Sequence, residues 1–311
     1  MATVELTLTG PNGANPLGFL CALGTLRTLS HAWPSSEVKM KWKQCGAAWR
    51  PILRAEHADL DGKDEAGQKD VIVNAIFKEL GNVQGHPAFR WDDTHNIPPQ
   101  DYRDYSIQAR DLFFNGNHRP AEWAAALACD AIVSDDAVND TAFRTMSGQG
   151  HQHFLKQMRS LQERLQPGHI DEALFGWKYQ DKRLNLRFDP SEDRRHALQW
   201  KNPEKDTILT VWGANRLAAE GLPLFPVFPA KGNKLKTVGF RGSGKDDAFW
   251  TWPLWDAFLS ISVVRTILAL PALQAERPPR AELSPLGIIE VYRSQRINVG
   301  RYRAFAIAQA V

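Results

Sequence analysis

The chain has 311 residues, 43% of them hydrophobic, with a formal net charge of +3. That length and apolar content suffice to bury a sizeable core, which excludes a disordered chain and leaves one or two domains. The charge is too small to point to a polyanionic partner by itself, so its local distribution is the better guide.

The longest apolar stretches, residues 17–29 and 258–273, are broken by Gly, Arg, Thr or Ser and fall short of the ~20 uninterrupted residues of a membrane span. Met1-Ala-Thr-Val-Glu-Leu has neither the basic start nor the apolar run of a secretory signal, so a cytosolic protein without a membrane partner is expected. Cys21, Cys45 and Cys129 are odd in number and without C-x-x-C spacing, which argues against a disulfide framework or a zinc finger. No metal or other cofactor is expected.

Residues 3–8 alternate apolar and polar as a half-buried strand does, and Gly10-Pro-Asn-Gly-Ala ends the pattern. Asn15-Pro16 is a helix start, followed by Leu17, Leu20, Leu23, Leu26 and Leu29 along a helix to about His31. Gly18, Ala22 and Thr25 leave room there for another backbone. Residues 38–43 alternate strictly, with Lys39, Lys41 and Lys43 on a wet outer face. An acidic connection over residues 60–70 leads into a helix over 71–80, stopped by Gly81.

Residues 84–118 show no sustained period and read as irregular, and helices follow at Pro120 and at Phe154. A short strand near residue 184 runs into a charged Pro-Ser turn. Residues 207–221 read as a helix, 222–229 as extended, 255–270 as a helix after Pro253, and 287–292 and 302–308 as extended. The expected fold is α/β or α+β, a mixed layered structure with short sheets and several amphipathic helices. A boundary near residue 204 would separate an N-terminal α/β region, 1–204, from a C-terminal region, 205–311, with a basic tail.

Four segments are candidates for chemistry. Gly239-Phe-Arg-Gly-Ser-Gly-Lys has the glycine-lysine spacing of a phosphate loop, but Asp246 stands where a magnesium-ligating Ser or Thr belongs, so Arg241 and Lys245 suit backbone contact better than nucleotide hydrolysis. Ser147-Gly-Gln-Gly-His-Gln-His puts His151 and His153 ahead of a helix carrying Lys156, Arg159 and Arg164. Metal binding, a surface role and contact with RNA or DNA all remain open for this pair. Asp189, Glu192 and Asp193 beside Arg194, Arg195 and His196 form either a solvated charged turn or a carboxylate site for magnesium-dependent nuclease chemistry.

The tail from Tyr292 to Arg303 interleaves Tyr292 and Tyr302 with Arg293, Arg296, Arg301 and Arg303, a pattern suited to phosphate contact with ring stacking. An edge hairpin guarded by exposed arginines is the structural alternative. The 11 tryptophans mark core anchors, with base stacking or protein contact as the other uses.

The opening, Leu6-Thr-Leu-Thr-Gly-Pro-Asn-Gly-Ala-Asn-Pro-Leu-Gly-Phe-Leu-Cys-Ala-Leu-Gly-Thr-Leu-Arg, resembles the N-terminal strand-loop-helix of CRISPR-associated proteins of type I-U, also called I-G, systems. Gly148-Gln-Gly-His-Gln-His-Phe-Leu and Leu186-Arg-Phe-Asp-Pro-Ser-Glu-Asp-Arg-Arg-His-Ala-Leu are also similar to segments of proteins from those systems. The resemblance implies a large-subunit-like role in a guide-RNA effector complex, binding guide RNA or target DNA beside other subunits while a separate helicase-nuclease cuts. The chain is shorter than such large subunits usually are, and no residue is carried over as catalytic. It implies His151, His153, Arg194 and Arg195 as contact residues. A scaffold protein binding through tryptophan-rich surfaces and a metal-independent endoribonuclease are the alternatives.

Overall fold

The computed structural model describes residues 3–91, 96–134, 136–146, 153–192, 209–242, 248–299 and 302–311. The alternation at the N-terminus becomes strand β1 (Thr3–Thr7), with Val4 and Leu6 turned inward. Asn15 then caps α1 (Pro16–Ala32), its side chain accepting from the Gly18 N–H at 3.1 Å. Strands β2 (Val38–Cys45) and β3 (Ala48–Glu56) form a hairpin, and β3 inserts antiparallel between β1 and β2. This is a split β-α-β unit, with α1 as the crossover. Its inner face, Val4, Leu6, Met40, Trp42 and Leu53, packs into the core that buries α1 from Pro16 to Leu29.

Helices α2 (Glu65–Leu80), α3 (Pro99–Phe114) and α4 (Arg119–Leu127) come next, then the hairpin β4 (Ala128–Ser134) and β5 (Ala137–Asp140). α3 corrects the irregular reading of residues 84–118. Its buried Tyr102, Tyr105 and Ala109 share one face, and both tyrosine hydroxyls donate to main-chain carbonyls, Tyr102 to Ala128 O at 2.7 Å and Tyr105 to Gly85 O at 3.0 Å. α5 (Phe154–Arg164), α6 (Pro167–Phe175), β6 (Asp181–Lys182), β7 (Leu209–Thr210) and α7 (Trp212–Gly221) follow. The strand expected from residue 184 onward does not form, β6 ending just before it, and α7 starts later than residue 207.

The chain continues through β8 (Val227–Ala230), β9 (Lys234–Thr237), β10 (Phe240–Arg241), β11 (Phe249–Trp255), β12 (Leu259–Ser260), α8 (Ile261–Leu268), α9 (Arg280–Leu283), β13 (Ile288–Val299), β14 (Tyr302–Phe305) and β15 (Gln309–Ala310). β12 extends the first sheet on the β2 edge, giving the order β1-β3-β2-β12; a second antiparallel sheet runs β10-β11-β13-β14, with β15 also on β13. Trp255 thus ends a strand and does not start a helix, and only 261–268 of the stretch expected as helix over 255–270 are α-helical. The fold is mixed α/β with short antiparallel sheets.

Tryptophans join the two sheets. Trp42, Trp250, Trp252 and Trp255 are buried around Phe19, and the indole N–H groups of Trp252 and Trp255 donate to Gly13 O at 2.8 Å and Met40 O at 2.7 Å. A side chain at Gly13 would meet the Trp42 ring at 2.8 Å, so the opening Gly-Pro-Asn-Gly loop is shaped by the aromatic core above it. Among the described residues Trp33, Trp42, Trp123, Trp250, Trp252 and Trp255 are buried and Trp49, Trp91, Trp177 and Trp212 half-buried. One hydrophobic cluster runs from Val4 to Phe305, across the position of the anticipated boundary; residue 204 itself lies outside the described residues.

The α1–α7 seam holds a buried ionic hub. Glu220 takes Arg27 Nη1 at 2.5 Å, Arg216 Nη1 at 2.7 Å and Arg119 Nη2 at 3.1 Å, and His86 Nε2 lies 3.6 Å away. A second carboxylate, Glu122, takes Arg27 at 2.7 Å and Arg265 at 2.6 Å. Burial alone pushes the Glu220 carboxyl up, but Arg119, Arg216 and Arg27 outweigh it and hold it well below the usual carboxylate range. Burial, then Arg216, lowers His86 well below its ordinary 6.5, opposed by Glu220.

His86 Nδ1 accepts from the Ala88 N–H at 3.2 Å, so the proton of the neutral ring sits on Nε2, toward Glu220. The folded protein therefore refuses a proton that the unfolded chain takes up near pH 6.5. Stability contributed by His86 is present above that pH and is lost as pH falls toward the depressed folded value, by at most about 1.4 kcal/mol per pH unit. Urea unfolding at pH 7.5, 6.5 and 5.5 is expected to show this slope in the wild type and a flatter one in His86→Gln. Equal slopes would mean that the imidazole protonates in the fold.

Candidate nucleic-acid interface

β5, β9, β13 and β14 border an open cleft of about 480 Å³. Its outer wall is β9, where alternation puts Lys234 and Lys236 on one exposed face. Another part of the lining is the end of β5, with Asp140, and the turn after it, with Arg144. Thr237 Oγ1 accepts from the Ala142 N–H at 2.9 Å and ties this turn to β9. Arg296 Nη1 donates to Ala142 O at 2.8 Å and the Arg303 N–H to Thr145 O at 2.9 Å, tying the same turn to β13 and β14. The cleft is thus held by hydrogen bonds between segments more than 90 residues apart in sequence.

The described lining carries five cations, Arg144, Lys234, Lys236, Arg296 and Arg303, against one carboxylate, Asp140. Asp140 Oδ2 accepts from Arg144 Nη1, four residues on. Burial pushes the Asp140 carboxyl up from its ordinary value, with Arg144 opposing. Neutral donors and acceptors, Asn139, Thr141, Ser134 and Asn233, complete a mostly polar wall. Such a surplus of positive charge in a concave site concentrates anions and can contact several phosphates at once.

Two of the residues expected from the tail line the cleft, Arg303 as an exposed side chain and Arg296 as a 7% exposed one already held by Ala142 O, as does Gly242 of the glycine loop. Arg241 is half-buried one residue away, its guanidinium 5.6 Å from the Phe249 ring centroid. Arg293 departs from the expectation. It is 9% exposed and donates to Leu273 O, Ala275 O, Glu276 O and Thr251 Oγ1, so main-chain carbonyls already take up its donors. Tyr292 is half-buried: its hydroxyl accepts from Trp49 Nε1 at 3.1 Å and its ring stacks on Trp252 at 6.2 Å.

His153 is half-buried at the N-cap of α5, and Lys156 and Arg159 lie along that helix; none of the three lines the cleft. His151, Arg194, Arg195, Lys245 and Arg301 lie outside the described residues, as does the side chain of Tyr302. Asp189 corrects the reading of a solvated turn. It is 1% exposed and accepts from Tyr179 Oη at 2.8 Å, Asn15 Nδ2 at 3.0 Å and the Ser191 N–H at 3.0 Å, which is the work of a structural tie to the α1 cap.

That tie has a consequence for the three stretches on which the family resemblance rests. Their described parts meet in space: Asn15 bonds Asp189, Phe154 packs edge-on to Phe188 at 6.3 Å, and Leu186 O accepts from Thr145 just before the glycine-histidine segment. Sequence reading missed Asp140, Arg144, Lys234 and Lys236. The one signal for them was the Lys-Leu-Lys alternation at 234–236, the same pattern as at Lys39–Lys43. Comparison of the chain with protein-family models, with curated proteins and with solved structures gives no match.

Proposed function

We propose that this protein is a non-catalytic nucleic-acid-binding subunit of a CRISPR effector complex of the I-U (I-G) kind, and that it holds the phosphate backbone of guide RNA or target DNA in the β5–β9–β13 cleft. The observation that carries the binding reading is the ratio of five cations to one carboxylate around a polar cleft of about 480 Å³. Subunit membership rests on the resemblance of the opening loop and of the 148–155 and 186–198 stretches. Other subunits of the complex are the protein partners this reading requires.

Fluorescence anisotropy with labelled RNA, single-stranded DNA and duplex DNA tests the binding at several salt concentrations. Affinity is expected to fall steeply with salt, with the probes left uncut. Replacing both Lys234 and Lys236 by alanine removes exposed side chains that support no core, so the fold should persist. The double variant is expected to weaken binding across sequences and to lower the salt slope by about 1 for each phosphate that it no longer neutralises. Absence of binding at low salt, or an unchanged slope in the variant, removes the cleft from the function.

A further inference from the structure

We infer that the cleft selects RNA over DNA, with Asp140 accepting a hydrogen bond from a ribose 2′-hydroxyl. This rests on the nucleic-acid reading above and names the polymer that the same cleft takes.

The reason is the presence of a carboxylate where phosphates are to bind. Asp140 is the last residue of β5, lines the cleft and keeps a side chain 13% exposed among five cations. A carboxylate repels phosphate oxygens, so for backbone binding alone its charge is a liability. Oδ2 pairs with Arg144, and the charge also faces Arg303 and Arg296; among the described residues Oδ1 still accepts no hydrogen bond. An ionised carboxylate is acceptor-only, so the group that completes it must be a donor.

The cations of the cleft suit the phosphates, and the sugar between two phosphates offers a carboxylate one donor, the 2′-hydroxyl that DNA lacks. Base amino groups are the other donors on the polymer, but DNA carries them as well. Acidic side chains serve this purpose elsewhere, as in dinucleotide-binding folds where an Asp or Glu takes the ribose hydroxyl. Asn139 and Asn233 of the same lining add neutral hydrogen-bonding groups.

The test compares three single strands of one sequence on the full-length wild-type protein: RNA, DNA and fully 2′-O-methylated RNA. A hydrogen bond to a charged acceptor predicts RNA to bind about tenfold or more tightly than DNA, and the methylated strand to fall to the level of DNA. Asp140→Ala is expected to erase the difference by weakening RNA while DNA binds as tightly as before or more tightly, since a repelling charge is gone. A role confined to holding Arg144, Arg296 and Arg303 in place would instead weaken both strands alike, and that result overturns the inference.

Equal binding of RNA and DNA by the wild type overturns it too, while leaving the nucleic-acid reading in place. Undiminished binding of the methylated strand does the same, because shape and not the hydroxyl would then be recognised. If none of the strands binds at low salt, the nucleic-acid reading itself fails. Should Asp140→Ala not fold, the three wild-type affinities still decide.

Discussion

Replacing Glu220 by glutamine is expected to destabilise the protein by about 3–5 kcal/mol, the usual cost of removing one partner from a buried ion cluster. Glu220 is 0% exposed, and Arg27, Arg119 and Arg216 converge on its two oxygens while themselves at most 5% exposed. Glutamine keeps the shape and one acceptor but removes the charge that compensates three guanidinium groups. Water does not reach those groups to take over. Since native proteins are stable by only about 5–15 kcal/mol, this one change removes a large share of the total.

The surface pair Lys69–Glu65, also at i,i+4 spacing, is the internal control. Glu65 is 71% exposed, and its replacement by glutamine is expected to change stability by less than about 0.5 kcal/mol. Urea unfolding of both variants at pH 7.5 measures the contrast. A loss below about 1 kcal/mol at Glu220 would show that the hub is hydrated and that its ion pairs contribute no more than surface ones.

The hub also shows where sequence reading stops. Arg216 and Glu220 stand four apart on α7, a spacing that exposed helical ion pairs share, and charged residues are seldom fully buried. Nothing local says that Arg27 and Arg119 arrive from other helices. α1, by contrast, was legible from Asn15, Pro16 and the leucines after them, since cap, first-turn proline and apolar spacing all act within one element.

β11 was misread for a physical reason. Its residues 250–255 are buried on both faces, so the alternation that marks a strand is absent, and Pro253 suggested a helix start. The proline is tolerated because β10 pairs only with Phe249 and Trp250, leaving β11 a single neighbour at Pro253, next to a register shift at Leu254–Trp255. In the cleft, the basic tail was visible, but which of its arginines face outward was not. Arg293 and Arg296 lie three apart on β13 and so point to opposite faces, the first among the carbonyls of residues 273–276 and the second to the cleft side, where Ala142 O holds it. The β9 and β5 contributions come from more than 50 residues upstream of the tail and join it only in the folded chain.

A methyl group at Gly24 is expected to destabilise the protein by about 1–3 kcal/mol, even though alanine is the better helix former by about 1 kcal/mol. An added Cβ there would lie 1.7 Å from Leu217 O and 2.6 Å from Leu217 C, and one at Gly221 would lie 2.6 Å from Leu20 O. All these atoms are backbone, so no side-chain rotation relieves the contact and α1 and α7 must move apart. Room for a neighbouring backbone was expected on α1 at Gly18, Ala22 and Thr25; α7 makes its approach at Gly24, and Gly18 faces the Asn12 backbone of its own loop. Among the described residues nothing lies within 4 Å of a Cβ at Gly168 in α6, and Gly168→Ala is expected to stabilise by about 0.4–1 kcal/mol. Opposite signs in urea unfolding at the two glycines are therefore the expected result; equal, mildly stabilising effects would place α1 and α7 farther apart than this structure does. Gly24 lies one helical turn before Arg27, so moving the helices apart also draws that guanidinium from Glu220. Gly24→Ala and Glu220→Gln are accordingly expected to be non-additive by more than about 0.5 kcal/mol, with the double variant less destabilised than the sum of the two.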